Sequence, residues 1–193
     1  MRRPERVTLE GRFVRLEPLE ERHRDDLLEA GADPDIWRFM SADLSVGADA
    51  WAAYLAEAQR PDYVAWATVE RSSGRAVGST RLGDIAPEHG RVEIGWTWLT
   101  PALQRTAFNT EAKLLQLTYA FETLGAERVA LKTDLRNERS ERAIERLGAV
   151  REGVLRRHIR LPDGHVRDTV YYSILADEWP AVKAGLEERL APG

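Results

Sequence analysis

The segment of this chain with the clearest chemical potential is a strand that feeds a loop into a helix. Residues Val92–Leu99 alternate in polarity, Thr100-Pro101 ends the run, residues 101–108 read as a loop, and a helix is predicted from Asn109 to about Leu124. A helix entered this way presents unpaired backbone N–H groups and the positive end of its dipole, which suits a phosphate or pyrophosphate. Every strand–helix unit has such a start, so the feature alone identifies nothing. A second candidate is Asn137-Glu138-Arg139-Ser140, where Asn137 is placed to cap a helix and Ser140 lies on its first turn. In isolation the commoner meaning of that motif is a plain cap with a serine facing solvent.

Composition removes other chemistries. The chain has no cysteine, which excludes disulfides, thiolate metal ligands and a cysteinyl intermediate together. Its four histidines (His23, His89, His158, His165) lack ligand spacing, so no metal is expected. A net charge of −4 gives no broad basic footprint for nucleic acid. The N-terminus is followed by charge rather than by the apolar run of about 7–15 residues found in a signal peptide. No stretch approaches the ~20 apolar residues of a membrane span. The expected location is the cytoplasm.

The elements that must position these residues follow from periodicity and turn residues. Arg12–Pro18 predicts a short strand, Glu20–Ala30 a helix with Leu27 and Leu28 inward, and a second helical piece follows Pro34. Asp49–Gln59 predicts a helix that stops before Pro61. Tyr63–Glu70 and Ala76–Ile85 flank a hairpin turn at Ser72-Ser73-Gly74-Arg75. In Val92–Leu99, strict alternation puts Val92, Ile94, Trp96 and Trp98 on one face and Glu93, Gly95, Thr97 and Leu99 on the other. The helix after the loop carries a stripe at Leu114, Leu117, Phe121 and Leu124. Val129–Thr133 is a strand and Asn137–Leu147 a helix stopped by Gly148. Strands at about Val150–Leu161 and Val166–Leu175 surround Pro162-Asp163-Gly164, and Glu178–Leu190 forms a terminal helix. An antiparallel meander followed by one βαβ crossover predicts an α/β fold with α+β character. The expectation is a mixed, mostly antiparallel sheet of about seven strands with helices on both faces. No repeat or linker interrupts it, so one domain over residues 1–193 is expected.

Taken together and in order, four segments resemble the GNAT superfamily of acyl-CoA-dependent N-acyltransferases. They are Glu93-Ile94-Gly95-Trp96, Asn109-Thr110-Glu111-Ala112-Lys113-Leu114-Leu115, Asn137-x-x-Ser140 with its Leu147-Gly148-Ala149 ending, and Glu152-Gly153-Val154-Leu155-Arg156. The resemblance covers nearly the whole chain. Within the superfamily it is to the branch typified by enzymes that acetylate N-terminal amines of ribosomal proteins.

That resemblance implies a GNAT fold, acetyl-CoA as cosubstrate without a metal, and a set of roles. Gln104-Arg105-Thr106-Ala107-Phe108-Asn109, running into Thr110, takes the place of the pyrophosphate loop. The family pattern is Gln or Arg, two variable residues, Gly, a variable residue, and Gly or Ala; here Ala107 and Asn109 stand at the glycine positions. Backbone groups of Trp98, Leu99 and Thr100 would pair with the pantetheine arm like an added strand. The amide of Asn137 would bond the same arm, and Ser140 would sit near the thioester sulfur to donate to the leaving thiolate. An amine must lose a proton to attack a carbonyl, and Glu93 is the leading acceptor on position, with Asp168 and His158 ranked lower. The basic stretch Arg156–Arg160 would guide CoA phosphates or an acidic substrate, or be a solvated edge.

The resemblance implies an amine as acceptor; no nucleic acid or membrane is expected as partner, and a homodimer is left open. Protein N-terminus, lysine, polyamine, amino acid and antibiotic amine all fit. A different class remains: a CoA-binding or interaction protein that keeps the fold without turnover. A nucleotide-binding regulator is disfavoured by the absence of GxxxxGK[ST] and of a GxGxxG strand–helix unit.

Overall fold

In the computed structural model, which describes residues 1–191, hairpins close where the sequence supplies turns and build one eight-stranded sheet. Its strands are β1 (Leu9–Glu10), β2 (Val14–Pro18), β3 (Val64–Glu70), β4 (Ala76–Ala86), β5 (Arg91–Leu99), β6 (Arg128–Asp134), β7 (Val150–Arg160) and β8 (Val166–Leu175). The spatial order is β1-β2-β3-β4-β5-β6-β8-β7. All neighbours are antiparallel except β5 and β6, as the βαβ crossover requires. The strand beyond the expected seven is β1, a two-residue piece too short to leave a periodic signal.

The helices differ more from expectation. The first is a 3₁₀ turn at Glu21–His23 running into α1 (Arg24–Ala30), and the piece after Pro34 is only a 3₁₀ turn at Pro34–Ile36. Next come α2 (Asp49–Ala58), α3 (Ala107–Thr118), α4 (Glu138–Leu147) and α5 (Trp179–Leu190). The last turn of the long helix, Tyr119–Thr123, widens to a π-helix. Apolar side chains from α3, α4 and α5 form one core with Ile94, Val129 and Tyr172. On the opposite face Leu27, Trp37, Trp51 and Tyr54 form a second core with Trp98. Among the described residues no helix is long and apolar enough to cross a membrane.

One irregularity makes the site. The β4–β5 register shifts between Ser79 and Arg81, and Trp96 sits at φ 50°, so β5 contains a bulge. Alternation breaks there, and the expected grouping of Ile94 with Trp96 and Trp98 is wrong. Ile94 packs into the first core, whereas Trp98 joins the second. Trp96 turns to the same face, beside Tyr63 at 4.8 Å between ring centroids. Beyond the bulge β5 leaves its parallel partner: pairing with β6 covers only Arg91–Glu93 against Arg128–Ala130.

Candidate active site

The gap between β5 and β6 opens into a cavity of about 370 Å³. It is lined by Ile94–Leu99 of β5, Leu131–Thr133 of β6, the starts of α3 and α4, and Phe39 and Met40 from the N-terminal region.

Glu93 lies on its wall and is only 2% exposed. One carboxylate oxygen, Oε2, pairs with Lys132 Nζ at 2.9 Å. The other, Oε1, has no hydrogen-bond partner. A Cβ on Gly95 would stand 3.1 Å from that oxygen, so glycine there leaves the carboxylate room. Burial pushes the Glu93 pKa up, and Lys132 only partly offsets this. Burial opposes the charge on Lys132 as well, but its attraction to Glu93 prevails and holds the ammonium above its ordinary pKa. The Lys132 ammonium also lies 5.9 Å from the Trp96 ring and 5.7 Å from Tyr171.

At the far end, α3 begins at Ala107 with Thr106 as N-cap, two residues earlier than predicted. Phe108 N–H donates to Thr106 Oγ1 at 3.4 Å. The glycine-poor loop is accommodated without strain at Ala107 or Asn109, both of which are helical. The residue that takes a positive φ, 63°, is Arg105. Phe108 turns inward against the first core. On α4, Asn137 Oδ1 accepts the Ser140 N–H at 3.1 Å, which leaves the Nδ2 amide hydrogens free to donate.

Ten of the thirteen predicted site residues line this cavity: Glu93, Trp98, Leu99, Gln104, Arg105, Thr106, Asn109, Thr110, Asn137 and Ser140. Thr100, Ala107 and Phe108 do not. Thr100 N–H is spent on Val77 O at 2.9 Å, so it faces β4 rather than the gap. The alternation of an antiparallel pair then turns the Leu99 backbone toward the gap. Its carbonyl accepts from Gln104 Nε2 at 3.0 Å, and Arg139 in turn donates to Gln104 Oε1 at 2.8 Å. The lower-ranked bases lie outside. Asp168 accepts the Arg157 N–H at 2.6 Å inside a β7 irregularity, and His158 rests against Thr169 Oγ1 and the Tyr171 ring. Burial, then Lys132 and Arg167, lower the His158 pKa. The Arg156–Arg160 stretch belongs to β7, an edge strand largely exposed to solvent.

Four residues escaped the sequence reading. Lys132 and Arg167 line the cavity from β6 and β8, and Trp96 joins them through the bulge. Lys113 reaches it from α3, fully enclosed, donating to Thr97 Oγ1 at 2.6 Å, Gln116 Oε1 at 3.0 Å and Thr80 Oγ1 at 3.3 Å. Burial lowers its pKa to about 7. The signal for Lys132 was a single charge directly after the apolar run Val129-Ala130-Leu131; that for Lys113 was a lysine one turn before Leu117 on the buried stripe. Glu111, in contrast, serves structure. Its carboxylate accepts the N–H groups of Arg12, Phe13 and Val14 at 2.6–2.7 Å, where a Cβ on Gly11 would collide with it at 2.5 Å. Among the described residues no group of three or more His, Cys, Asp or Glu could hold a metal ion.

Residues 14–150 match the model of the acetyltransferase (GNAT) domain, and the chain belongs to that family. A protein from T. thermophilus, provisionally described as an acetyltransferase, is 47% identical over 95% of this chain and 97% of that one, with a TM-score of 0.88. A GCN5-related N-acetyltransferase from Brucella melitensis is 34% identical over 98% of this chain and 88% of that one, with a TM-score of 0.93. A Bacillus subtilis (strain 168) protein provisionally named ribosomal N-acetyltransferase YdaF is 34% identical over 57% of this chain. The match spans 59% of that protein's length.

Proposed function

We propose that the protein is an N-acetyltransferase that moves an acetyl group from acetyl-CoA to a primary amine by direct attack. The observation that carries this reading is the gap beyond Glu93, which has a helix N-terminus at one end and a buried carboxylate at the other. For the donor, the first turn of α3 with Arg105, Arg139 and Arg146 suits a diphosphate. The Leu99 backbone and the Asn137 amide suit the amides of the pantetheine arm. Its thioester supplies the activated acetyl group.

The chain's own residues do the rest. Glu93 Oε1, unpartnered and on the cavity wall, accepts the amine proton. Burial raises the Glu93 pKa, and Lys132 partly offsets this in favour of the ionised form. The Ser140 hydroxyl, on the first turn of α4, donates to the departing thiolate. Similarity to YdaF favours a protein N-terminus as acceptor, in the cytoplasm where acetyl-CoA is available.

Thermal denaturation with acetyl-CoA tests the donor half. Acetyl-CoA should raise the melting temperature of the parent, and less so that of Asn137→Ala. No shift at millimolar acetyl-CoA would contradict the reading.

A further inference from the structure

Two buried guanidiniums on the Glu93 face of the sheet, Arg81 and Arg167, have no salt-bridge partner among the described residues; Arg81 is enclosed by the rings of Tyr54, Tyr63 and Trp96, and of the two only Arg167 opens on the cavity. β-Sheet register places Lys132 opposite Tyr171 and Asp134 opposite Thr169, so these side chains share that face with Arg167, which alternates with Thr169 and Tyr171 on β8. Glu93 is paired with Lys132 at 2.9 Å and Asp134 with Arg136 at 2.8 Å. Asp134 and Glu93 act on Arg167 only from beyond ion-pair distance. Its Nε donates to Thr169 Oγ1 at 2.9 Å, and the terminal nitrogens make no hydrogen bond to protein. The residue is only 9% exposed, and what remains open lines the same cavity as Glu93. A guanidinium withdrawn from water without a counter-ion is costly unless something binds it.

We propose that the acceptor carries a carboxylate that docks on Arg167. This rests on the acetyltransferase reading and names the substrate class within it. A carboxylate matches the planar fork of a guanidinium better than any neutral group. The same uncompensated cation disfavours polyamines, whose second ammonium would meet Arg167.

The amine and the carboxylate must span the cavity between Glu93 and Arg167. Glu93 stands level with Ala130, and Ala130 with Ser173, six residues along β8 from Arg167. At ~3.3 Å per residue the backbone separation is about 20 Å, which the two side chains narrow until their charges interact across the shared cavity. Two sources can be told apart: the side chain of an acidic residue early in a peptide, or the far end of an ω-amino acid.

The test compares matched acceptors on the full-length protein with acetyl-CoA, following CoA release. Free-N-terminus peptides would differ only in Glu, Gln or Lys at the second position, and 4-aminobutyrate would be set against butylamine. The carboxylate member of one pair should exceed its neutral counterpart ~10–100-fold in kcat/KM. Which pair shows the effect identifies the source. Arg167→Gln should abolish that preference while leaving the neutral member within about threefold, and Arg167→Lys should keep part of it. A purely structural role would depress every acceptor alike.

A binding arm needs no turnover: N-acetylated Glu and Gln peptides, and acetamidobutyrate against N-butylacetamide, titrated by calorimetry with and without CoA. Tighter binding of a carboxylate in the parent, lost in Arg167→Gln, supports the proposal. A parent that favours neutral or lysine-bearing acceptors, or a preference that survives Arg167→Gln, overturns it. Should acetyl-CoA neither bind nor turn over, the acetyltransferase reading fails while the binding arm still decides the role of Arg167.

Discussion

Two lysines, one buried and one half-buried, flank β5 on opposite faces, and the protein treats them in opposite ways. Lys132 faces the carboxylate of Glu93 and is held charged, above its ordinary pKa. Lys113 faces only hydroxyl and amide oxygens of Thr80, Thr97 and Gln116, and burial brings its pKa to about 7. The two surroundings differ in the same sense. On the α3 face the polar groups brace the bulge with neutral acceptors. On the other face they form ion pairs around a cavity. A counter-ion decides whether an interior amine stays charged, and only one face of this sheet supplies it.

The contrast can be broken at either lysine. Lys132→Met leaves Glu93 buried without its cation. Stability should fall by about 3 kcal/mol, the lower part of the range for breaking a buried pair because the lysine is partly open. The same change removes the interaction that lowers the Glu93 pKa. A base must be ionised, so activity is lost as pH falls through that pKa, and the acid limb of kcat should move to higher pH in the variant. An unmoved limb would detach Lys132 from the reaction.

Lys113→Met probes the other face with a smaller effect per pH unit. The folded pKa near 7 lies below the ordinary 10.5, so between these values the unfolded chain binds a proton that the folded chain lacks. Parent stability should therefore rise with pH across that window by up to ~1.4 kcal/mol per unit, relative to a variant without the amine. Below about pH 7 both states are protonated and the slope vanishes. Urea unfolding of both proteins at about pH 7, 8 and 9 measures the difference, and a constant gap would mean that Lys113 stays charged.

These two lysines also mark where the sequence stopped being legible. Strands and the later helices could be read because hydrophobic alternation, Pro101 and Gly148 act locally. Asn137 and Ser140 could be placed because a cap and the amide it receives lie three residues apart. Glu93 could be placed by its motif, but its partner could not, since Lys132 reaches it across a parallel pair with a long crossover between. Trp96 was put on the wrong face because one positive φ inverts an otherwise regular alternation. The stripe on α3 was read as apolar, although Glu111, Lys113 and Gln116 are buried there. Each is satisfied by a distant segment, which periodicity does not record.

Glu93→Gln tests the central claim most directly. The amide is nearly isosteric and should keep the packing beside Gly95 and Lys132 while removing the basic oxygen. With an acceptor identified, kcat measured under saturating acetyl-CoA should fall ~10²–10⁴-fold, with the acetyl-CoA-induced rise in melting temperature retained. A fall of less than about threefold, in a variant that melts like the parent, would contradict the account and hand proton removal to another residue or to solvent.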